Sequence, residues 1–374
     1  MAARGGNGGG TVSRWANLTD EEVLSIVVNQ LVRGTKLSDV VTHMHKTYHE
    51  EGFKKPHPYT YLRRALERGM LTFTIAERRH HPFEGRIRNA WPGLNTVEVV
   101  NTADVSDVAD RAAKMFIDFL RHKSKEIPKN GREKPHVRVG LMGGGTIMSV
   151  CRTLAPALAQ LEKDEKIRLP DLTFQALAVG DNVRQPLEDP ASFFTYFADP
   201  ALKPLKCDYV SLHAPVFWKR PPDGRDIEDE EFEQLRAEAR SCDIVLVSAG
   251  DFKDPHSFLG ALHSSAGNTY ERLQAANCRG DLGRLPVSAN GPVPLGLFAH
   301  RPCTLVGIDE LQAMVSEGKR VMLIAAPCGD CQTHKGDIIE ILLNLRDKGY
   351  ILFSDLICDS LSARNMRRLT TVTG

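Results

Sequence analysis

A chain of 374 residues that is 42% hydrophobic and 25% charged has the composition of a globular protein, long enough for a small module joined to a larger one. Its net charge of +1 excludes a protein that coats nucleic acid indiscriminately. No apolar run approaches the roughly 18 residues of a membrane helix, and the glycine-rich start lacks the features of a signal peptide, so a cytoplasmic protein with no membrane partner is expected.

The charge is uneven. Residues 1–90 carry 14 Lys and Arg against 9 Asp and Glu, the asymmetry expected of a segment that meets phosphates. The eight cysteines are scattered, several beside apolar strand-like runs, and are expected to be reduced and buried rather than disulfide-bonded.

Residues 1–16 have almost nothing to bury and are predicted to be a disordered tail. From Thr19, which forms a capping-box pattern with Glu22, the apolar residues Val23, Leu24, Ile26, Val27, Leu31 and Val32 recur at helical spacing until Gly34. Thr35 can cap a second helix with Leu37, Val40, Val41 and Met44 on its apolar stripe. A polar segment follows, then a third helical run from Tyr59 to Arg68, stopped by Gly69. Leu71, Phe73 and Ile75 alternate as a wing strand.

Residues 17–80 thus have the order of a winged helix-turn-helix domain, with a double-stranded DNA operator as partner. Its last helix would present Lys54, Lys55, His57, Tyr59, Thr60, Tyr61, Arg63 and Arg64: cations for phosphates, hydroxyls for phosphates or base edges. A solvated polar face on a small helical packing domain is the alternative reading. The segment from Thr47 to Pro56 is also longer than the three- or four-residue turn of the simplest modules.

After His80 and His81 a linker is expected up to Trp91, and residues 81–374 then read as one α/β domain. The strand candidates are Thr96 to Val100, Val137 to Met142, Leu172 to Val179, Tyr209 to Leu212, Ile244 to Val247, Val321 to Ala325 and Ile351 to Phe353. Helical runs separate them, such as Val108 to His122, Ile147 to Leu161, Asp229 to Ala239 and Asp337 to Asp347. Near-continuous apolar strands with crossover helices predict a mostly parallel sheet covered on both faces. The polar stretch from Lys123 to Lys134 reads as a surface insertion.

Three strand ends carry loops suited to an anion. Gly143, Gly144, Gly145 and Thr146 stand between a strand and a helix, where bare glycines let an anion approach the helix N–H groups and Thr146 adds a hydroxyl. No Lys follows as in a P-loop, and the dinucleotide spacing is absent. Asp181 lies in the turn after another strand, and Ser248 with Gly250 after a third. In an open parallel sheet these loops converge on one crevice, although each alone is an ordinary turn.

Cys328, Cys331 and His334 form a CxxCxxH run, and Pro327 adds half of a zinc-deaminase pattern whose other half is missing. Three ligands with no fourth in view predict no metal site, and no cofactor is expected. Lys335, at the mouth of a helix, can pair with a ligand phosphate.

The order of these motifs resembles the SorC family of sugar-responsive bacterial transcriptional regulators, related in architecture to the deoxyribonucleoside regulator. The likeness runs from about Thr19 to Met366. It includes Tyr61 to Leu71 as recognition helix into wing, the Gly144–Gly145–Thr146 turn, Leu212 to Pro215, Asp243 to Gly250, Gly280 to Arg284, and Lys335 followed by Asp359 to Ala363. The resemblance implies a large domain with the fold of glucosamine-6-phosphate deaminase, ribose-5-phosphate isomerase and coenzyme A transferases. It also implies dimers or tetramers on palindromic operators, Gly144, Gly145, Thr146 and Lys335 toward phosphate, and Asp281 toward sugar hydroxyls.

The expected function is DNA binding modulated by a small phosphorylated metabolite, without catalysis. The alternatives are a sugar-phosphate isomerase or deaminase, with Asp181, Asp251 and Asp281 as candidate bases, or a metabolite sensor acting through a protein partner.

Overall fold

Ile244–Val247 and Arg320–Ala325 are aliphatic runs with hardly a polar side chain, which suits strands covered on both faces. The computed structural model divides the chain into two compact units, Met1–Arg78 and Arg79–Gly374. It describes residues 81–102, 104–125, 135–162, 169–179, 186–199, 207–212, 217–219, 230–260, 269–294 and 300–370 of the larger unit. In the smaller unit it describes residues 19, 22–25, 27–28, 39, 42 and 58–67.

In the larger unit the strands are β1 (Thr96–Val100), β2 (His136–Leu141), β3 (Asp171–Ala176), β4 (Cys207–Val210), β5 (Phe217–Lys219), β6 (Ile244–Val247) and β7 (Ala249–Asp251). They continue as β8 (Cys278–Leu282), β9 (Leu285–Ser288), β10 (Gly291–Pro292), β11 (His300–Pro302), β12 (Arg320–Ala325) and β13 (Asp355–Asp359). Seven form one sheet in the order β1-β13-β12-β6-β2-β3-β4, parallel at every pairing. A second sheet, β10-β9-β8-β7, is antiparallel, and β5 pairs with β11.

The helices are α1 (Pro82–Ala90), α2 (Val105–Lys125), α3 (Gly145–Glu162), α4 (Pro190–Phe197), α5 (Glu230–Arg240), α6 (Thr269–Ala275), α7 (Ile308–Ser316), α8 (Gly336–Arg346), α9 (Ser360–Arg364) and α10 (Arg367–Thr370). Successive side chains along a strand point to opposite faces, and the two cores follow that alternation. Ile244, Leu246, Met322 and Ile324 meet Phe116 and Leu120 of α2, Leu154 of α3 and Phe193 of α4. Val245, Val247, Val321 and Leu323 join the other core, with Ile87, Leu311, Ile338 and Leu342. Each fully buried aliphatic side chain contributes about 1.5–3 kcal/mol, so both faces stabilise the sheet.

The mostly parallel α/β architecture agrees with the sequence reading, but four elements differ. The expected linker before Trp91 is helix α1. Its first turn has Pro82 and is capped by His81, whose Nδ1 accepts the Phe83 N–H at 3.3 Å. The buried Glu84 accepts the Val99 N–H at 3.0 Å, so this helix satisfies a donor of edge strand β1. The last strand is Asp355–Asp359 rather than Ile351 to Phe353. Lys123 and Lys125 belong to the last turn of α2 rather than to an insertion, and residues 126–134 lie outside the described residues. The antiparallel sheet was not foreseen, because β7 and β10 are only three and two residues long.

In the smaller unit, Thr19 and Glu22 form the reciprocal capping box, with Thr19 N–H to Glu22 Oε2 at 2.8 Å and Glu22 N–H to Thr19 Oγ1 at 3.3 Å. Val23, Leu24 and Val27 are buried, as are Tyr61 and Ala65 of the helix Pro58–Glu67. The expected tail and wing lie outside the described residues. Among the described residues, no helix is long and apolar enough to cross a membrane.

Candidate functional site

The sheet order sets the place of a site. From β2 the chain runs outward through β3 to β4, whereas from β6 it runs the other way through β12 to β13. The boundary between β2 and β6 is therefore a topological switch point, where the carboxyl ends of neighbouring strands diverge and leave a crevice. A cavity of about 400 Å³ lies there, lined by the loop after β2, the loop after β6 and the loop after β12. That volume suits a small metabolite.

Seven of the eight effector residues expected from sequence line this one cavity: Gly144, Gly145, Thr146, Ser248, Gly250, Asp281 and Lys335. Asp181 lies outside the described residues. Gly144 has φ +107°, a conformation that favours glycine, and helix α3 opens at Gly145 with its first-turn N–H groups at the cavity wall. Gly250 allows a close approach, because a β-carbon there would strike Asp281 Oδ2.

Lys335 is 8% exposed. Its Nζ donates to Ala249 O at 2.7 Å and stands 4.0 Å from Asp254 Oδ2, and its backbone N–H donates to Ser362 Oγ at 2.9 Å. Asp359 caps α9 and accepts the Ser362 N–H at 2.7 Å, so the closing Asp359 to Ala363 segment positions the Lys335 backbone.

Arg284, Arg152 and Glu188 also line the cavity and were not among the expected site residues. Arg284 is buried, its guanidinium 5.6 Å from the Phe258 ring centroid and its backbone N–H 2.8 Å from Asp281 Oδ1. The signal for it was the Gly283–Arg284 hairpin turn, one residue beyond Asp281. Arg152 lies two helical turns into α3, with no local pattern to mark it, and Glu188 comes from a short 3-10 helix, Pro186–Glu188. The Glu188 carbonyl accepts the Gly144 N–H at 3.1 Å.

The wall is electrostatically mixed, with the Glu188 carboxylate beside Gly145 at the start of α3. The α3 start and Arg284 offer N–H donors to an anion, whereas Asp281 offers an acceptor for hydroxyl groups. Asp251, one of the candidate bases, ends β7 and is buried; burial chiefly raises its carboxyl above the ordinary range, against the Lys253 N–H bond that lowers it.

All eight cysteines are free, and Cys151, Cys242, Cys278, Cys303 and Cys358 are buried as expected. Burial pushes the Cys242 and Cys278 thiols up to about 12. Cys207 and Cys328 are half-buried and Cys331 is exposed.

Of the expected DNA-contacting residues, Arg63 is exposed, Thr60 and Arg64 are half-buried, and the Arg64 guanidinium stands 6.0 Å from the Tyr61 ring centroid. Tyr61 is the correction: it is fully buried, a core ring rather than a surface hydroxyl. Lys54, Lys55 and His57 lie outside the described residues, as does the side chain of Tyr59.

No protein-family model matches the sequence, and no curated protein matches it. Solved structures do. The full-length sorbitol operon regulator SorC from Klebsiella pneumoniae is similar with a TM-score of 0.59 at 14% identity, over 94% of this chain and 99% of that one. A DeoR family transcriptional regulator from Listeria monocytogenes gives a TM-score of 0.54 at 16% identity, over 76% of this chain and 98% of that one. A transcriptional regulator from Streptococcus pneumoniae TIGR4 gives 0.55 at 13%, over 76% and 94%. The structural neighbours of this chain are SorC- and DeoR-family transcriptional regulators, and its α/β unit shares their fold.

Proposed function

We propose that the chain is a DNA-binding transcriptional regulator whose affinity for DNA is set by a small phosphorylated metabolite, a sugar phosphate, held at the switch-point cavity. The observation that carries this reading is the convergence of Gly144, Gly145, Thr146, Ser248, Gly250, Asp281 and Lys335 on one cavity of metabolite size. The phosphate sits against the start of α3, whose N–H groups and dipole favour an anion, with Arg284 beside it. Sugar hydroxyls face Asp281. The regulatory reading draws support from the likeness to full-length SorC, whose 94% coverage exceeds what residues 79–374 alone can supply. Arg63 and Arg64 contact operator phosphates from the helix Pro58–Glu67, and a homodimer or tetramer presents paired helices to the two half-sites.

A thermal-shift screen of phosphorylated sugars against their unphosphorylated counterparts tests the pocket. A ligand at 100 times its dissociation constant should stabilise the protein by about 2.7 kcal/mol. Stabilisation by unphosphorylated sugars alone would remove the phosphate from the proposal.

Fluorescence anisotropy on operator DNA across a salt series tests the other half. Affinity should fall steeply with salt, and Arg63→Ala should reduce the logarithmic slope by about one. Salt-insensitive binding contradicts the reading. Turnover of a sugar phosphate that is lost in Asp281→Asn would make the protein an enzyme instead.

A further inference from the structure

The CxxCxxH run of Cys328, Cys331 and His334 lacks a fourth ligand along the sequence and predicts no metal site, but the fold assembles a different set. Strands β6 and β12 are neighbours in the sheet, so the loops that follow them meet. Asp254 and His256 come from the loop after β7, the short strand that continues from β6, and Cys328 and Cys331 from the loop after β12; their ligating atoms all lie within 4.8 Å of one another. His334 is outside this group.

Three of the six separations have the scale of a coordination polyhedron, and all six are within 4.8 Å. Zinc bonds of about 2.3 Å to sulfur and 2.0–2.2 Å to nitrogen and oxygen imply tetrahedral edges of about 3.4–3.8 Å. Cys328 Sγ lies 3.7 Å from His256 Nδ1, Cys331 Sγ lies 3.5 Å from Asp254 Oδ1, and His256 Nδ1 lies 3.5 Å from Asp254 Oδ1. We propose that Asp254, His256, Cys328 and Cys331 form a tetrahedral zinc site that ties the loop after β7 to the loop after β12.

The chemistry of the donors selects the ion. Two thiolates disfavour the hard cations calcium and magnesium, and two sulfurs, one imidazole and one carboxylate suit zinc. Binding releases the protons of both thiols, while the imidazole coordinates in its neutral form through Nδ1. Two thiolates and a carboxylate around a divalent ion leave one negative charge, and the Lys335 ammonium stands 4.0 Å from the other oxygen of Asp254.

Both loops are held before an ion arrives. The Asp254 carboxylate is nearly fully buried and accepts the His256 N–H at 2.9 Å. Cys328 N–H donates to Thr333 O at 3.0 Å, and Gln332 N–H to Cys328 O at 2.9 Å, which closes the CxxC turn on itself. Thr333 Oγ1, 3.0 Å from Cys331 Sγ, supplies a hydroxyl donor to the thiolate.

Asp254, His256 and Cys328 also line the switch-point cavity, but the inference rests neither on the effector nor on DNA. The test is titration of the full-length chain, reduced and stripped with chelator, with cobalt(II) alone and then zinc(II). One equivalent of cobalt should give the intense d–d bands of a tetrahedral ion and a thiolate-to-cobalt charge-transfer band, both erased by one equivalent of zinc.

Cys331→Ser and His256→Ala alter exposed positions, and a circular dichroism spectrum checks that each variant folds. Each should weaken binding by about 100-fold or more, at or beyond the upper end of the losses caused by removing outer-shell partners. His334→Ala should bind as the unaltered chain does. A reduced chain that gives no stoichiometric cobalt spectrum, or a spectrum lost in His334→Ala and kept in His256→Ala, overturns the proposal.

Discussion

Arg284 concentrates the tension between stability and binding at one residue. It follows Gly283 in the two-residue turn joining β8 to β9, and their φ angles of +73° and +55° are those of a type I′ hairpin turn. A side chain larger than Asn at such a position costs about 1 kcal/mol, and strain of this kind gathers where a side chain is kept for its function. Here the Asp281 carboxylate and the Phe258 ring hold the strained residue against the cavity. Arg284→Gly should therefore relieve about 1 kcal/mol of backbone strain, which offsets part of what the side-chain contacts, the cation–π contact among them, contribute to the unliganded protein. Phosphate-ligand affinity should fall at least about tenfold, since a hydrogen bond to a charged group contributes about 1.5–3 kcal/mol. Urea denaturation and ligand titration on the same sample separate the two effects. A large stability loss with unchanged affinity would make Arg284 a purely structural residue.

At the scale of elements, strand β13 explains both a misreading and a dependence. Ile351 to Phe353 is the more apolar run, yet Ile351 is 37% exposed, while the acid-flanked Asp355–Asp359 takes a central place between β1 and β12. An aspartate at the start of a buried strand is unfavourable until a partner from another strand meets it, and that partner is invisible along the sequence. Arg320 of β12 supplies it, donating from Nε to Asp355 Oδ2 at 3.1 Å and from a second nitrogen to Oδ1, while Ser354 Oγ donates to Oδ2 at 2.7 Å. Helix α1 was legible in retrospect, since Phe83, Ile87 and Trp91 recur every fourth residue behind Pro82, but the polar residues between them masked the period. Asp355→Ala removes the only carboxylate that Arg320 pairs with among the described ion pairs, and should destabilise the protein by about 3 kcal/mol, the low end for a broken buried pair because Arg320 keeps some contact with water. The pair lies at the amino ends of its strands, away from the cavity. Ligand affinity of the folded protein should stay unchanged, which calorimetry below the melting transition can check.

For the whole molecule, legibility followed the direction in which information runs along the chain. Gly144, Thr146, Ser248 and Gly250 were readable because a residue just past an apolar strand falls at its carboxyl end whatever the strand order. Arg152 and Glu188 were not, because a helix interior and a short turn carry no such rule. The pairing of Asp254 and His256 with Cys328 and Cys331 needed the adjacency of β6 and β12, set by the order of the sheet. Every residue of the cavity and of the four-ligand cluster belongs to residues 79–374, and so do both large cores. A protein truncated to residues 79–374 should therefore fold cooperatively, since a unit that buries its own core does not need the rest of the chain. It should keep both the thermal shift with a phosphorylated ligand and the cobalt spectrum, and lose the salt-dependent binding to operator DNA. Calorimetry, the ligand screen and anisotropy on the truncated protein check this together. If the truncated protein bound the operator with the same salt slope, the DNA contacts would belong to the α/β unit, and Arg63 and Arg64 would have no role in them.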